Sequence, residues 1–428
     1  MSFNRKDGIR GMMTAKTQRR KGWRREPLNS FMFLSVLASL RSYLAFVFLV
    51  YFVSPVFAEW PTYHGGVDLR GVSGSALPEV PQLLWRYNAG GTVNNTPVSD
   101  GERIFFAAKK GQVIAVDLKG SEIWKKSFTR INDAGAEMPV QFDAPPVCGG
   151  GLVLAGTTRG TLYALDAATG AEKWRYETGG VIIGSPNVIP GRMSFDRKDA
   201  KAQRKENPDA VIVLDQSAGA LHCLDIISGK LLWKTEGVER CDSSPGVGNG
   251  RIVFGSCAAA LHVYSAADGK HLRDIEIGGD AQVAGGAAIA DDFVFAGVRS
   301  GSLICADAGT GDMIWSSAES QDQTFSTPAV TQDKVIYSSD NGFVYAVTRA
   351  EGRLLWSFKA GGLPTSPVAA KDKVAVSADG VVYLLNLEDG RKLWSKEVSD
   401  EISSPALVGG LLVVGADDGT VSAYGEKK

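Results

Sequence analysis

Two cysteines in the middle of the chain are spaced for a disulfide between neighbouring strands. Cys241 and Cys257 flank the stretch SSPGVGNGRIVFGS, whose apolar run and central Asn249 predict a hairpin. If the turn is symmetric about Asn249, the two thiols lie directly opposite each other, where cross-strand side chains come closest. The spacing therefore predicts a Cys241–Cys257 disulfide in an oxidising compartment, with two buried free thiols as the alternative.

The other cysteines and the histidines could bind metal only if they converge. Cys223 and Cys305 share one slot of two different repeats, and other repeats have alanine there, so we expect small core residues. His222 and His262 share another slot, which holds tyrosine in three other repeats. Because a zinc site needs three or four converging ligands and the sequence shows no others, we predict packing between repeats and no metal site.

Hydroxyl-bearing residues recur immediately before a proline. If the repeats surround an axis and the proline starts the innermost strand, these hydroxyls gather around a central channel. Such a ring would bind a small polar ligand or a peptide end, or it would only satisfy backbone groups as a hydrated lining, which is the favoured reading. The six residues are Thr96, Ser185, Ser244, Thr327, Ser366 and Ser404.

All of these residues occupy fixed positions in a sequence motif that is repeated along the chain. GTLYALDAATGAEKWRY at Gly160–Tyr176 reappears as GSLICADAGTGDMIW at Gly301–Trp315 and GFVYAVTRAEGRLLW at Gly342–Trp356. Each unit reads as four short strands: one that starts at the proline, a β-branched run, and two that are bounded by glycine turns. Four antiparallel strands in about 40 residues correspond to one propeller blade.

The two ends of the repeat region set the number of blades. The eighth unit stops at TVSAYGEKK without a fourth strand, and an orphan fourth strand, QLLWRY, stands at Gln82–Tyr87. A closed ring removes exposed sheet edges. We therefore predict an all-β, eight-bladed β-propeller of four-stranded antiparallel blades, closed by the N-terminal strand that completes the last blade.

The N-terminal residues differ in charge from the rest of the chain. Residues 1–58 carry ten Lys or Arg and two Asp or Glu, which leaves 36 basic and 45 acidic residues elsewhere. An acidic body argues against nucleic acid as a partner. The basic run, the apolar Ser42–Val53 and the final Val-Phe-Ala predict a Sec-type signal peptide, with an uncleaved anchor as the alternative. We expect export to the periplasm and no stable membrane insertion after cleavage.

The phrase A-x-D-x-x-T-G-x-x-x-W at Ala164–Trp174 resembles the repeat of the PQQ-like β-propeller family, which includes quinoprotein dehydrogenases and the outer-membrane assembly factor BamB. The stretch EWPTYHGGVDLRGVSG resembles the family's lead-in, with His64 in place of the usual arginine. The resemblance covers about residues 59–428. It implies that the repeat tryptophans lock neighbouring blades together, and that Arg273 breaks this pattern once. The docking tryptophans are Trp85, Trp124, Trp174, Trp233, Trp315, Trp356 and Trp394.

The same resemblance offers two functions. Quinoprotein dehydrogenases hold their quinone against a ring of two adjacent cysteines beside Ca²⁺, and this sequence contains no Cys-Cys pair. We therefore predict no cofactor and no catalysis, with a PQQ- and Ca²⁺-dependent dehydrogenase of alcohols or sugars as the alternative. The predicted function is that of a monomeric, BamB-like scaffold which binds protein partners in the bacterial cell envelope.

Insertions on a regular scaffold are candidate docking loops. Two interrupt the repeat, at Ser127–Pro146 and Pro190–Asp209. The second carries more basic than acidic residues, and a solvated loop is the alternative reading. The predicted organisation is a signal peptide at residues 1–58, a lead-in at 59–81 and the propeller at 82–428.

Overall fold

The structure, a computed structural model, describes residues 60–191, 209–279 and 281–427. The predicted signal peptide and most of the insert at 190–209 lie outside the described residues. The residues described all belong to one compact unit. Within these ranges, no helix has the length and apolar character needed to cross a membrane.

The predicted eight-bladed propeller is confirmed. Eight four-stranded antiparallel sheets follow one another, and a short parallel strand, Val72–Ser73, joins the seventh. First strands contact each other from blade to blade, which places them at the centre. In blade order, the strands are Val98–Ser99, Arg103–Ala108, Gln112–Asp117 and Glu122–Ser127 (blade 1); Val147–Gly149, Leu152–Gly156, Thr161–Asp166 and Glu172–Glu177 (blade 2); Asn187–Ile189, Ala210–Asp215, Ala220–Asp225 and Leu231–Lys234 (blade 3); Gly246–Gly248, Arg251–Gly255, Ala260–Ser265 and His271–Glu276 (blade 4); Ala288–Ala290, Phe293–Gly297, Leu303–Asp307 and Met313–Ser317 (blade 5); Ala329–Val330, Lys334–Ser339, Phe343–Thr348 and Leu354–Lys359 (blade 6); Val368–Ala370, Lys373–Ala378, Val381–Asn386 and Lys392–Glu397 (blade 7); and Ala406–Val408, Leu411–Gly415, Thr420–Gly425 and Gln82–Asn88 (blade 8).

The ring closes within blade 8, where both ends of the repeat region meet. Gln82–Asn88 pairs antiparallel with Thr420–Gly425, so that Trp85 lies opposite Ala423 and Tyr87 opposite Val421. The outermost strand of this blade thus comes from the start of the propeller, and its three inner strands come from the end. This is the predicted closure, and it leaves no blade with a missing strand.

The core lies between blades, because alternate strand residues face the two neighbouring sheets. Phe105 of blade 1 packs with Leu165 of blade 2, and Val253 of blade 4 packs with Val294 of blade 5. The largest cluster spans blades 7, 8 and 1 across the closure. Since each sheet shares its apolar residues with both neighbours, no blade buries its own core alone.

The repeat tryptophans reach from the outermost strand of one blade to the second turn of the next. The Nε1–H of Trp124, for example, donates a 3.0 Å hydrogen bond to the Ala167 carbonyl. A Cβ at Gly170 would lie 2.6 Å from the same ring, so glycine is required beneath it. Trp85, Trp174, Trp315 and Trp356 donate equivalent 3.0 Å bonds, Trp233 covers Gly269, and Trp394 packs on Tyr424.

Candidate functional site

The centre of the propeller is occupied by the lead-in segment, residues 60–73. Backbone carbonyls of this segment accept hydrogen bonds from first-strand amides of successive blades. The segment follows the ring in order and ends by pairing in parallel with blade 7. The donor–acceptor pairs are Ser99–Trp60, Cys148–Pro61, Val247–Val67, Ile289–Asp68, Val330–Arg70 and Ala369–Gly71, all at 2.7–2.8 Å.

These bonds satisfy amides that would otherwise face the axis without a partner. The first strand of each blade has one free edge, and a buried backbone N–H without an acceptor is costly. In blade 3 the donor to the lead-in is a side chain and not a first-strand amide, because Asn187 Nδ2 donates to the Val67 carbonyl at 2.7 Å. Trp60 and Leu69 are fully buried at the centre. Residues 60–73 therefore form an internal seal of the ring.

Five of the six hydroxyls predicted to line the axis bond to the protein itself, namely those of Ser185, Ser244, Thr327, Ser366 and Ser404. The amide of Ser185 donates to Ser244 Oγ at 3.0 Å, and the amide of Thr327 donates to Ser366 Oγ at 2.9 Å. Ser404 Oγ accepts in the same way from Ser366. The hydroxyls of Ser244, Thr327, Ser366 and Ser404 thus each accept from an amide of the preceding blade.

The lead-in also contacts this ring directly. The hydroxyl of Tyr63 lies 2.6 Å from Ser366 Oγ and 3.2 Å from Thr327 Oγ1. Thr96 is buried in the same layer, and Ser404 is partly buried. The arrangement corresponds to the backbone-satisfying reading of the ring, with the chain's own lead-in beside the hydroxyls.

His64 holds the lead-in in its folded conformation. Its ring nitrogens lie 2.8 Å from the Leu69 carbonyl and 2.9 Å from the Pro367 carbonyl. Whichever nitrogen carries the proton therefore donates to backbone, which is a role that the arginine usual at this position also fits. Burial lowers the pKa of His64, although both carbonyls oppose that shift. Gly71 has φ +64°, and a Cβ there would lie 2.2 Å from His64 Cε1.

The predicted Cys241–Cys257 disulfide is absent from the structure, in which both residues are free thiols. The predicted hairpin register is wrong, because the turn has two central residues with positive φ, Asn249 and Gly250. Gly248 therefore pairs with Arg251, and the Cys257 amide bonds to the Arg240 carbonyl rather than facing Cys241. Burial raises the pKa of the Cys241 thiol to about 12, which keeps it protonated and unreactive.

Acidification should destabilise the protein through His222, which does not share a site with His262. His222 Nδ1 lies 3.0 Å from the Tyr176 hydroxyl, and Nε2 has no partner among the described residues. Burial and nearby Lys234 lower the pKa of His222 to about 4, although Asp215 opposes them. Since this pKa is below the unfolded value of about 6.5, the neutral ring stabilises the fold above that pH, and this contribution is lost as the pH falls towards 4.

The matched variant is His222→Gln, which keeps a polar group beside Tyr176 and does not titrate. Between pH 7 and pH 4.5, the wild-type protein should lose on the order of 2–3 kcal/mol more unfolding free energy than this variant. Urea unfolding at the two pH values measures the difference. Equal losses in both proteins would show that His222 does not carry this pH dependence.

A quinone cofactor fits the centre of this ring poorly. The sequence supplies no adjacent cysteine pair. The Ser244 and Ser366 hydroxyls accept from backbone amides, and six carbonyls of residues 60–71 accept from first-strand amides. An axial cofactor would have to displace the lead-in and leave those amides without acceptors.

One irregular feature projects from the regular ring. Within the insert Ser127–Pro146, Thr129–Ile131 and Glu137–Pro139 pair as a separate two-stranded hairpin. Ile131 and Met138 are 66% and 42% exposed. They face opposite sides of the hairpin, because Ile131 pairs with Glu137 and Met138 with Arg130. Each face of this hairpin, residues 129–139, thus presents one apolar side chain to solvent.

Comparisons with known proteins agree on the family. Residues 109–216, 275–376 and 340–428 match the family model described as outer membrane protein assembly factor BamB. The chain is 25% identical over 327 residues to the outer membrane protein assembly factor BamB of Burkholderia pseudomallei (strain K96243), covering 72% of this chain and 78% of the relative.

Solved structures show the same fold. The crystal structure of BamB from Moraxella catarrhalis matches with a TM-score of 0.64 and 23% identity, covering 81% of this chain and 98% of that one. Quinohemoprotein alcohol dehydrogenase from Comamonas testosteroni matches with a TM-score of 0.65 and 15% identity, covering 86% and 81%. At these identities the two structures support the fold alone.

Proposed function

Because the chain belongs to the family of the outer membrane protein assembly factor BamB, we propose that it is an exported, non-catalytic scaffold that binds a protein partner during the assembly of outer membrane proteins. The family match is the main support for this proposal, because the matched residues include blades on both sides of the ring closure. The relatives named for this role extend over most of the propeller at about a quarter identity.

The geometry of the centre supports a binding role over catalysis. The residues nearest the axis bond to one another and to residues 60–73, so the polar groups there are used for structure. Binding would then fall to loops and outer surfaces, where repeat scaffolds usually carry their function. The 129–139 hairpin is the docking element proposed here, because it departs from the repeat and exposes Ile131 and Met138.

Loss and restoration of the protein in the bacterium that encodes it tests the proposal. Deletion should lower the content of folded outer membrane proteins, and the wild-type gene should restore it. A double variant, Ile131→Asp with Met138→Asp, should accumulate normally but fail to restore it, and it should lose envelope cross-links that the wild-type protein forms. The matched control is Leu363→Asp, which changes an apolar loop residue that is 67% exposed and should restore assembly fully.

The enzymatic alternative makes the opposite prediction. If deletion leaves outer membrane proteins unchanged, and the purified protein with PQQ and Ca²⁺ reduces a dye in the presence of an alcohol or sugar, the scaffold proposal is wrong. If assembly falls on deletion but the hairpin variant restores it, the function stands and the docking element is elsewhere, with residues 190–209 the next to delete.

A further inference from the structure

Blade 4 departs from the repeat at three positions that meet at one point. His262 on the third strand lies opposite Asp274 on the outermost strand, and Tyr264 lies opposite His271. Asp274 Oδ1 is 2.7 Å from His262 Nδ1 and 2.8 Å from His271 Nε2. These three ligand atoms all lie within 4.8 Å of one another.

A bulge in the outermost strand brings the three side chains to one face. In a regular strand, residues 271 and 274 would point to opposite faces, because side chains alternate. Here the register shifts between Val263 and Tyr264, so Leu272 is the extra residue and His271 joins Asp274 on the same side. Every blade has this bulge, so the repeat provides the geometry and blade 4 alone adds the ligands.

The corresponding positions of the other blades cannot form this group. The residue opposite the His262 position is lysine, arginine or serine in each of them. His222 of blade 3 is the closest parallel, since it occupies the His262 position but faces Lys234. The pairs in blades 1, 2, 3, 5, 6, 7 and 8 are Ile114–Lys125, Tyr163–Arg175, His222–Lys234, Ile304–Ser316, Tyr345–Ser357, Tyr383–Ser395 and Ser422–Arg86.

We propose that His262, His271 and Asp274 form a binding site for a divalent transition metal, Zn²⁺ in particular. Two imidazoles and a carboxylate are a ligand set that zinc accepts, with solvent completing the tetrahedron. Ligand atoms around a tetrahedral zinc lie about 3.3 Å apart, given bond lengths near 2.0–2.1 Å. The present separations from Asp274 to the two histidines therefore need to widen by roughly half an ångström.

The surroundings of His262 can hold the tautomer that binds metal, once the metal replaces the proton that Nδ1 donates to Asp274 in the metal-free site. Its Nε2 lies 2.7 Å from Ser256 Oγ, which also accepts from the Ala258 amide. When Nε2–H donates to this hydroxyl, the Nδ1 lone pair is free for the metal, as is usual for histidine ligands. Phe254 and Tyr264 stack on each other and provide an apolar wall, with Phe254 tilted against His262 and Tyr264 edge-on to His271. Asp274 and His271 are about half exposed, so the metal can enter from solvent.

The site would strengthen the one blade that lacks the tryptophan lock. Arg273 replaces that tryptophan and approaches Gly311 of blade 5 with its Cδ and its Nη1, 3.3 Å and 3.9 Å from a Cβ placed there. A metal shared by His262 and the pair His271 and Asp274 would fasten the outermost strand to its neighbour. We therefore expect a structural rather than a catalytic metal.

Calorimetric titration of the chelator-treated mature protein, free of any affinity tag, with Zn²⁺ tests the proposal. One equivalent should bind, and Zn²⁺ should raise the melting temperature relative to EDTA. Ser256→Ala removes a partner of a ligand and should lower the affinity for Zn²⁺ by about 10–100-fold. His271→Ala and Asp274→Asn each remove a ligand and should lower that affinity further. Co²⁺ should give the visible absorption of a tetrahedral site.

The matched control is His222→Gln, which changes the equivalent position of blade 3 and should leave Zn²⁺ binding intact. His271 and Asp274 lie at the surface, so their variants are expected to fold, and their circular dichroism and melting in EDTA should match the wild type. Failure of the wild-type protein to bind Zn²⁺, or binding that survives both substitutions, would overturn the proposal.

Discussion

Replacing Trp356 with alanine is expected to lower the free energy of unfolding by about 3–5 kcal/mol. The indole is 8% exposed, its Nε1–H donates to the Leu387 carbonyl of the next blade at 3.0 Å, and its ring lies over Gly390. Alanine would leave a cavity between blades 6 and 7 and remove one of the hydrogen bonds that join them. Urea unfolding followed by tryptophan fluorescence and circular dichroism measures the change.

The matched control for this prediction is Arg273→Ala. Arg273 occupies the tryptophan position of blade 4 but approaches the turn of blade 5 only loosely, with its Cδ and Nη1 3.3 Å and 3.9 Å from a Cβ placed at Gly311, and its Nε has no hydrogen-bond partner among the described residues. Its loss should cost about 1 kcal/mol or less, in the range of surface substitutions. A similar loss of stability in both variants would show that the tryptophan lock is not what holds the blades together.

Replacing Gly71 with alanine is expected to cost about 3 kcal/mol or more, because two penalties combine. A non-glycine residue at φ +64° costs about 1–2 kcal/mol. The new methyl group would also lie 2.2 Å from the Cε1 of His64, which is buried and bonded on both sides. His64 would have to move, and the backbone carbonyl that accepts its N–H would lose its donor.

Two control variants at other glycines distinguish the backbone penalty from the steric penalty in this prediction. Gly90 has φ +80° with open space around it, so Gly90→Ala should cost only the backbone term of about 1–2 kcal/mol. Gly74 has open space and an ordinary φ, and Gly74→Ala should change stability by less than about 0.5 kcal/mol. If Gly71→Ala costs no more than Gly90→Ala, the lead-in does not hold His64 as described.

The blade number and the closure could be predicted because both depend on periodicity. A strand pattern repeated at fixed offsets predicts the same four-stranded unit each time, and the orphan strand at Gln82–Tyr87 supplies what the last unit lacks. The blade 4 hairpin shows the limit of that approach. Its register depends on whether the turn is centred on Asn249 or between Asn249 and Gly250, and a shift of half a residue means that Cys241 and Cys257 are not directly opposite each other.

The two features that sequence reasoning did not find, the lead-in hydrogen bonds and the His262–His271–Asp274 cluster, depend on contacts without a side-chain pattern. The lead-in forms its hydrogen bonds through backbone carbonyls, so the periodicity of the side chains does not indicate which residues it contacts. The available signal was a segment with Trp60, Leu69 and several glycines that belongs to no blade. His271 and Asp274 were overlooked because strict alternation places them on opposite faces, and only the bulge at Leu272 brings them together.

Backbone amide exchange is the most direct test of the claim that residues 60–73 seal the axis. The amides of Val247, Ile289, Val330 and Ala369 donate to lead-in carbonyls. If the account is right, these four exchange as slowly as amides in the middle strands of the blades, and a protein lacking residues 60–73 loses that protection. Rapid exchange of the four amides in the intact protein would mean that the centre is open, and would contradict the account.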